Sequence, residues 1–415
     1  MQPRGSIIAR AAGLAIIAAG AFVLPLELAL RLFPGAIPLN LLTEFEPGLR
    51  SAIAKQRQLQ RVEDTVIIPR DDGGPADRMW VYKPHIDVTE PFDEPGIVAT
   101  VRTDDQGFCN PAPDAYAQAD RIDVAAVGDS FTWCTNVEPA DAWPAVLARR
   151  TGLRVYNFGV PGRGLHEYLQ TLKHFGLPKQ PRFAIFAIYE GNDLRDAVRF
   201  HEGSSSGDPQ ARRPCPFGST AVCAARETLK HGFLGRHSYV VNLASAAVWR
   251  LAYDRNKKSI DFRYDVRFPD GTTAIFNSRN GDLDEVTYAT ALVHKEVSLN
   301  LLDQPLADLV ALGRARGFTP IVAYIPSAYT AYRHMAHFDD EAVRETLRQF
   351  SDQQREYFAH KATELGFRFR DLTPALQRAA AELPSSKPLY FRTNVHLTPA
   401  GYDVVAAELA PEVAG

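Results

Sequence analysis

Residues 122–135 read Ile-Asp-Val-Ala-Ala-Val-Gly-Asp-Ser-Phe-Thr-Trp-Cys-Thr, an apolar run that stops at Gly128 and at once presents Asp129 and Ser130. A short apolar run closed by a glycine and small polar residues is a β-strand ending in a turn. A serine just past the carboxyl end of a sheet strand sits on rigid backbone and faces the crevice where α/β sheets bind ligands. Its hydroxyl is a weak nucleophile, so chemistry there requires a base and oxyanion donors from elsewhere in the chain. Taken alone, Gly-Asp-Ser reads first as a polar turn that closes a strand.

Three later stretches change that reading. Asn157-Phe158-Gly159-Val160-Pro161-Gly162-Arg163-Gly164 follows the apolar run from Leu153 to Tyr156, and Glu190-Gly191-Asn192-Asp193 follows the run from Phe183 to Tyr189. Thr393-Asn394-Val395-His396-Leu397-Thr398-Pro399-Ala400-Gly401 stands just ahead of the last helical pattern. Between Ile122 and Tyr189 the pattern alternates strand and helix: a helix near 140–150 stopped by Gly152, then one near 165–175 stopped by Gly176. Alternation of this kind means parallel strands joined by crossover helices, and right-handed crossovers put all strand ends on one edge. Ser130, Gly162 and Asn192 each lie just past such an end, so three turns converge on one crevice.

The order of these blocks resembles the SGNH, or GDSL-type, hydrolase family, over roughly residues 120–200 and 315–412. The resemblance implies an α/β, flavodoxin-like three-layer sandwich with a mostly parallel five-stranded sheet. It also implies a serine esterase without cofactor or metal. Ser130 matches the family's nucleophile and His396 its general base, while the Ser130 and Gly162 backbone N–H groups and the Asn192 side chain match its oxyanion donors. The family places an aspartate two or three residues before the histidine, where this chain has Asn394 and Thr393. Asn394 can accept a hydrogen bond from the imidazole and fix its tautomer, but it brings no charge to stabilise the imidazolium.

The 415 residues carry a net charge of -3, with 23% charged and 46% hydrophobic residues, which fits a globular protein and excludes a charge-driven nucleic-acid binder. At the amino end Arg4 and Arg10 precede an apolar run from Ala11 to Leu30, broken only by Pro25 and Glu27 and followed by Arg31. That length suffices for a transmembrane anchor with the rest of the chain exported, and the competing reading is a cleaved signal peptide. We expect residues 1–35 as anchor or signal segment, 36–118 as an accessory segment, and 119–415 as the α/β domain with an insertion at about 201–290. The implied location is the inner membrane, single-pass, with the catalytic domain on the periplasmic or extracellular side. Cysteines 109, 134, 215 and 223 are even in number and suit an oxidising compartment. Cys215 with Cys223 would close a local loop, leaving Cys109 to pair with Cys134; free thiols are the alternative.

In the accessory segment Asp104-Asp105-Gln106-Gly107 reads as a solvated turn rather than a cation site. The insertion, with Trp249, Tyr253 and Phe262, is placed by the chain order to cover the crevice, and packing within the insert is the first reading of its aromatics. Further on, the pattern predicts a helix from about 295 to 316 stopped by Gly317, a strand 319–325, a turn whose Tyr329 or Tyr332 lines the site, a helix 341–365, a strand 367–370 and a helix 374–383. His166 and His201 are read as structural. The combined expectation is an ester hydrolase or O-acyl(acetyl)transferase acting on O-acetylated cell-envelope polysaccharide or a similar ester. The alternative is a non-catalytic carbohydrate-binding or assembly protein on the same fold.

Overall fold

The structure is a computed structural model and describes residues 21–414 outside 43, 58–62, 69–76, 90–96, 99, 112–118, 204–219, 260–262, 277–281 and 395. The chain forms two compact units, one of residues 62–213 with 262–415, the other of residues 1–61 with 214–261.

The larger unit is built on a five-stranded sheet of β1 (Val124–Gly128), β2 (Val155–Asn157), β3 (Phe183–Tyr189), β4 (Thr319–Ile325) and β5 (Arg368–Asp371). The order across the sheet is β2-β1-β3-β4-β5 and every pairing is parallel, with Val124 opposite Val155 and Phe183, and Ile321 opposite Arg368. This is the flavodoxin-like order, whose reversal point lies between β1 and β3. All residues of β1, β2 and β3 are buried, as continuous apolar strands require when helices cover both faces of a sheet. The helices pack among themselves in two sets. Trp143–Thr151 meets Pro399–Val413, which also meets Thr373–Glu382; Asp303–Arg316 meets Leu165–Thr171 and Glu341–Leu365. Helices Trp143–Thr151 and Asp303–Arg316 stop at Gly152 (φ 73°) and Gly317 (φ 78°), left-handed caps that release the chain into the next strand.

The helix expected to reach residue 175 leaves α geometry at Thr171 and continues as a π turn, Leu172–Gly176. Gly176 is not its stop but a close-packing position, since a Cβ there would lie 2.8 Å from Leu172 Cδ1. The helix expected from about 295 starts only at Asp303, after a 3₁₀ turn Leu299–Leu302. Lys295 at φ 61° ends the preceding helical stretch, and the Ser298 hydroxyl accepts from Asn300 N–H to begin the next one.

The stretch before β1 belongs to the larger unit from residue 62 onward and buttresses the turn after β1. Tyr82 packs on Trp133 at 5.0 Å between ring centroids, and Arg163 lies 4.2 Å over the Trp80 ring. Cys109 and Cys134 are joined by a disulfide, as expected; Cys215 lies outside the described residues. The Asp104 turn is not solvated: its buried carboxylate accepts from Gln106 and Phe108 N–H, the Asn110 amide and the Tyr156 hydroxyl. Those donors use up the carboxylate, and no group of acids, cysteines or histidines able to hold a metal occurs among the described residues.

The smaller unit is helical: a helix over residues 21–32, Pro47–Gln56, then α1 (Thr220–His231), α2 (Phe233–His237) and α3 (Tyr239–Ser259). Its core is formed by Leu30, Ile37, Phe45, Ile53, Tyr239 and Ala246 with their neighbours. Glu27, the acid interrupting the apolar run, accepts from the Ser238 hydroxyl and from Tyr239 and Val240 N–H, so it caps α3. Among the described residues no helix is long and apolar enough to cross a membrane; residues 11–20 of the expected span lie outside them.

Candidate active site

Ser130 opens the turn after β1, a tight run through Asn136 held by Thr132 and Trp133 N–H bonds to the Asp129 carbonyl. His396 comes from the loop before the last helix, 266 residues away, and places Nε2 2.8 Å from Ser130 Oγ. That loop is pinned from several sides. The Tyr332 hydroxyl accepts from Leu389 N–H at 2.7 Å, the Tyr390 hydroxyl donates to the Pro326 carbonyl, and Phe391 N–H bonds the His396 carbonyl at 3.0 Å. Tyr332 therefore acts through the loop. Phe131 stacks on both Tyr189 (3.6 Å) and the His396 ring (4.9 Å), fixing the plane of the imidazole.

The hydrogen bonds settle the ring's tautomer. Asn394 Oδ1 accepts from His396 backbone N–H at 2.9 Å, which identifies that atom as the amide oxygen. The same oxygen lies 3.2 Å from His396 Nδ1, so Nδ1 carries the proton. Burial pushes the imidazole pKa down to about 3, so the ring is neutral near pH 7 and Nε2 is an acceptor facing the serine hydroxyl. Asn394 Oδ1 thus fixes the imidazole through two hydrogen bonds, and its Nδ2 is buried without a hydrogen-bond partner among the described residues.

Asn192 follows β3 and donates Nδ2–H to Asp129 Oδ2 at 2.9 Å, while Asp129 Oδ1 accepts from Phe131 N–H at 2.8 Å. Asp129 is fully buried, and burial pushes its pKa up to about 7. Asp193, bonded to Tyr189 N–H at 2.6 Å, is pushed up too, by burial and then by the Asp129 charge. One carboxylate thus ties the Ser130 turn to the asparagine that follows β3, leaving the second amide hydrogen of Asn192 for another acceptor.

Gly162 sits in the turn after β2 at φ 70°, an exposed left-handed position where glycine carries no steric cost. That turn is latched to the Ser130 turn by Asn157, whose Nδ2 donates to the Thr132 carbonyl at 2.7 Å and whose Oδ1 accepts from Gly159 N–H at 2.8 Å. A Cβ on Gly159 would lie 2.3 Å from Trp133 N and 2.7 Å from Thr132 C, both backbone atoms that cannot step aside. Gly159→Ala is expected to cost about 3 kcal/mol of stability through overpacking. A urea midpoint unchanged from the parent would refute this close approach.

Glu190 was legible only as part of a polar quartet. It is fully buried and saturated by hydroxyls: Ser327 and Thr330 donate to Oε1 at 2.8 and 2.6 Å, Tyr324 and Ser351 to Oε2 at 3.0 Å each. Burial pushes its pKa up and the hydroxyls pull it down. Its carbonyl accepts from Gln354 at 3.1 Å, so the residue before Gly191-Asn192 is fixed to β4 and to the helix Glu341–Leu365. His166 stacks on Phe200 at 4.3 Å and bonds the Leu301 carbonyl, a structural placement.

No known family's sequence model matches the chain, and no curated protein does. Among solved structures the chain is similar to a lipolytic protein of the G-D-S-L family from Desulfitobacterium hafniense, at 15% identity over 70% of this chain and 99% of that one, TM-score 0.34. It is similar to a catalytic mutant of Axe2, an acetylxylan esterase from Geobacillus stearothermophilus (14% identity, 72% and 97% covered, TM-score 0.35). A third is an alpha/beta hydrolase enzyme from the metagenome of Lake Arreo, Spain (13%, 72% and 100%, TM-score 0.33).

Proposed function

We propose that the protein is a serine esterase working through an acyl-enzyme. The observation that carries this is the Ser130 Oγ to His396 Nε2 distance of 2.8 Å, with Nδ1–H committed to Asn394. In the proposed step His396 takes the hydroxyl proton as Ser130 Oγ attacks the ester carbonyl carbon. The tetrahedral oxyanion is met by the Asn192 amide and by the backbone N–H groups of Ser130 and Gly162. Collapse expels the alcohol, which receives the proton back from the imidazolium. Water, or a second hydroxyl in a transferase, then repeats the sequence on the acyl-enzyme.

The substrate class we infer is an O-acetylated polysaccharide of the cell envelope or a similar ester, with the chain anchored at its amino end and the catalytic unit outside the cytoplasm. The Cys109–Cys134 disulfide supports an oxidising compartment. A fluorophosphonate probe tests the chemistry: modification is expected on the peptide carrying Ser130, and folded protein that takes up no label would end the enzymatic reading in favour of a binding role.

Asn394→Asp tests the charge the site lacks. A carboxylate there would keep the same acceptor geometry and stabilise the imidazolium, by about 5 kcal/mol at the 3.2 Å separation and an effective dielectric of 20. Burying the new charge offsets most of this, so kcat is expected to rise about tenfold. The sign for the base follows: an adjacent anion favours the protonated ring, so its pKa rises from about 3 and the acid limb of kcat/KM moves to higher pH. A fall in kcat with an unmoved acid limb would refute the orienting role of Asn394.

A further inference from the structure

Helix α3 is apolar on two sides. Tyr239, Asn242, Leu243 and Ala246 face the core of the smaller unit, while Val241, Ala244, Val248 and Leu251 form a second stripe at helical spacing. Val222, Ala225 and Leu229 repeat that spacing on α1, and with Val241, Ala244, Val248 and the Arg226 side chain they line one groove of about 510 Å³. Between the helices, α2 presents Phe233, 76% exposed, and Leu234. The helix over residues 21–32 adds exposed Leu24, Leu28 and Leu32 at the same four-residue interval. Among the described residues, every large apolar side chain that is exposed belongs to this unit except Ile275.

Basic side chains outnumber acidic ones around this surface: Glu227 on α1 pairs with Arg226 and His231, and Arg226 also pairs with Glu44. Lys230 and His231 precede Phe233-Leu234, Arg236 and His237 follow, and no acid stands between Glu227 and Asp254. Toward the amino end, the exposed apolar residues of 21–32 continue in sequence as Ala-Ala-Gly-Leu-Ala-Ile-Ile-Ala-Ala-Gly over residues 11–20. Basic side chains flanking an aromatic and an aliphatic tip, beside helices with apolar outer stripes, are what an anionic lipid interface recognises.

We propose that α1, α2 and the outer stripe of α3 form a lipid-docking surface, seated in the headgroup and upper acyl region of an anionic phospholipid bilayer. The inference stands apart from the esterase reading and needs no catalysis. The test places a nitroxide on Leu234→Cys, Leu251→Cys or Ile275→Cys in the full chain reconstituted in phosphatidylethanolamine and phosphatidylglycerol vesicles. The accessibility of each label to oxygen and to a water-soluble nickel complex is then compared. At positions 234 and 251 the oxygen-to-nickel ratio is expected to be several times that at 275. Equal ratios at all three would place the surface in water and overturn the proposal. Labels at 234 and 251 closed to both colliders would assign the surface to a protein partner or second copy, and overturn it equally. Fluorophosphonate uptake by the same variants reports separately on the catalytic reading.

Discussion

Ser130→Ala is expected to lower kcat on any confirmed ester substrate by about 10⁶-fold while KM changes little, because in the proposed mechanism the removed atom acts in the chemical step and not in ground-state binding. The substitution deletes only the hydroxyl that stands 2.8 Å from His396 Nε2, and the turn around it is held by backbone bonds that alanine keeps. His396→Ala should cost a similar factor, and the double variant little more, since nucleophile and base act as one unit. A residual rate of about 10³-fold over water, left to the oxyanion donors and binding, is expected in all three. A Ser130→Ala enzyme within tenfold of its parent would show that water attacks the ester directly and would remove the acyl-enzyme.

Asn192→Ala comes next in size: loss of one oxyanion donor costs about 2.7–4 kcal/mol, a fall in kcat of roughly 10²–10³. The structure adds a reason for the upper end. The Asn192 amide is held by Asp129, so in its proposed oxyanion role it needs no reorganisation when charge develops on the substrate oxygen, whereas a water replacing it would. Asn192→Asp should be worse than alanine, because it sets a second carboxylate against Asp129 and against the oxyanion. The reading to make is the split between constants; a change confined to KM would mean that Asn192 only binds substrate.

The elements that were plain in the sequence are those whose cause is local. β3 and β4 lie at the residues their apolar runs marked, Phe183–Tyr189 and Thr319–Ile325, and helix Glu341–Leu365 spans the stretch its pattern gave. Ser130, Asn192 and His396 were reachable because the order of short polar blocks is itself a sequence feature. What stayed hidden depends on contacts between distant residues. Nothing near Asp129 in the chain announces that it grips Asn192, 63 residues on. Asp104 looked like any acid in a glycine turn, and only Asn110 and the Tyr156 hydroxyl make it a buried joint. Asn157 reads as a strand-end residue until its amide is seen bridging two turns.

Glu190 bears on how the chain is made. Its four hydroxyl partners lie 134, 137, 140 and 161 residues further along, so the central strand leaves the ribosome carrying an acid that nothing yet synthesised can shield. Closing such distant pairings is slow, because the loop entropy is lost before the contacts form. Until the helix beginning at Glu341 has been translated, the middle of the sheet stays wet around a charged side chain. The centre of the sheet is therefore expected to close only after the helix Glu341–Leu365 has been synthesised.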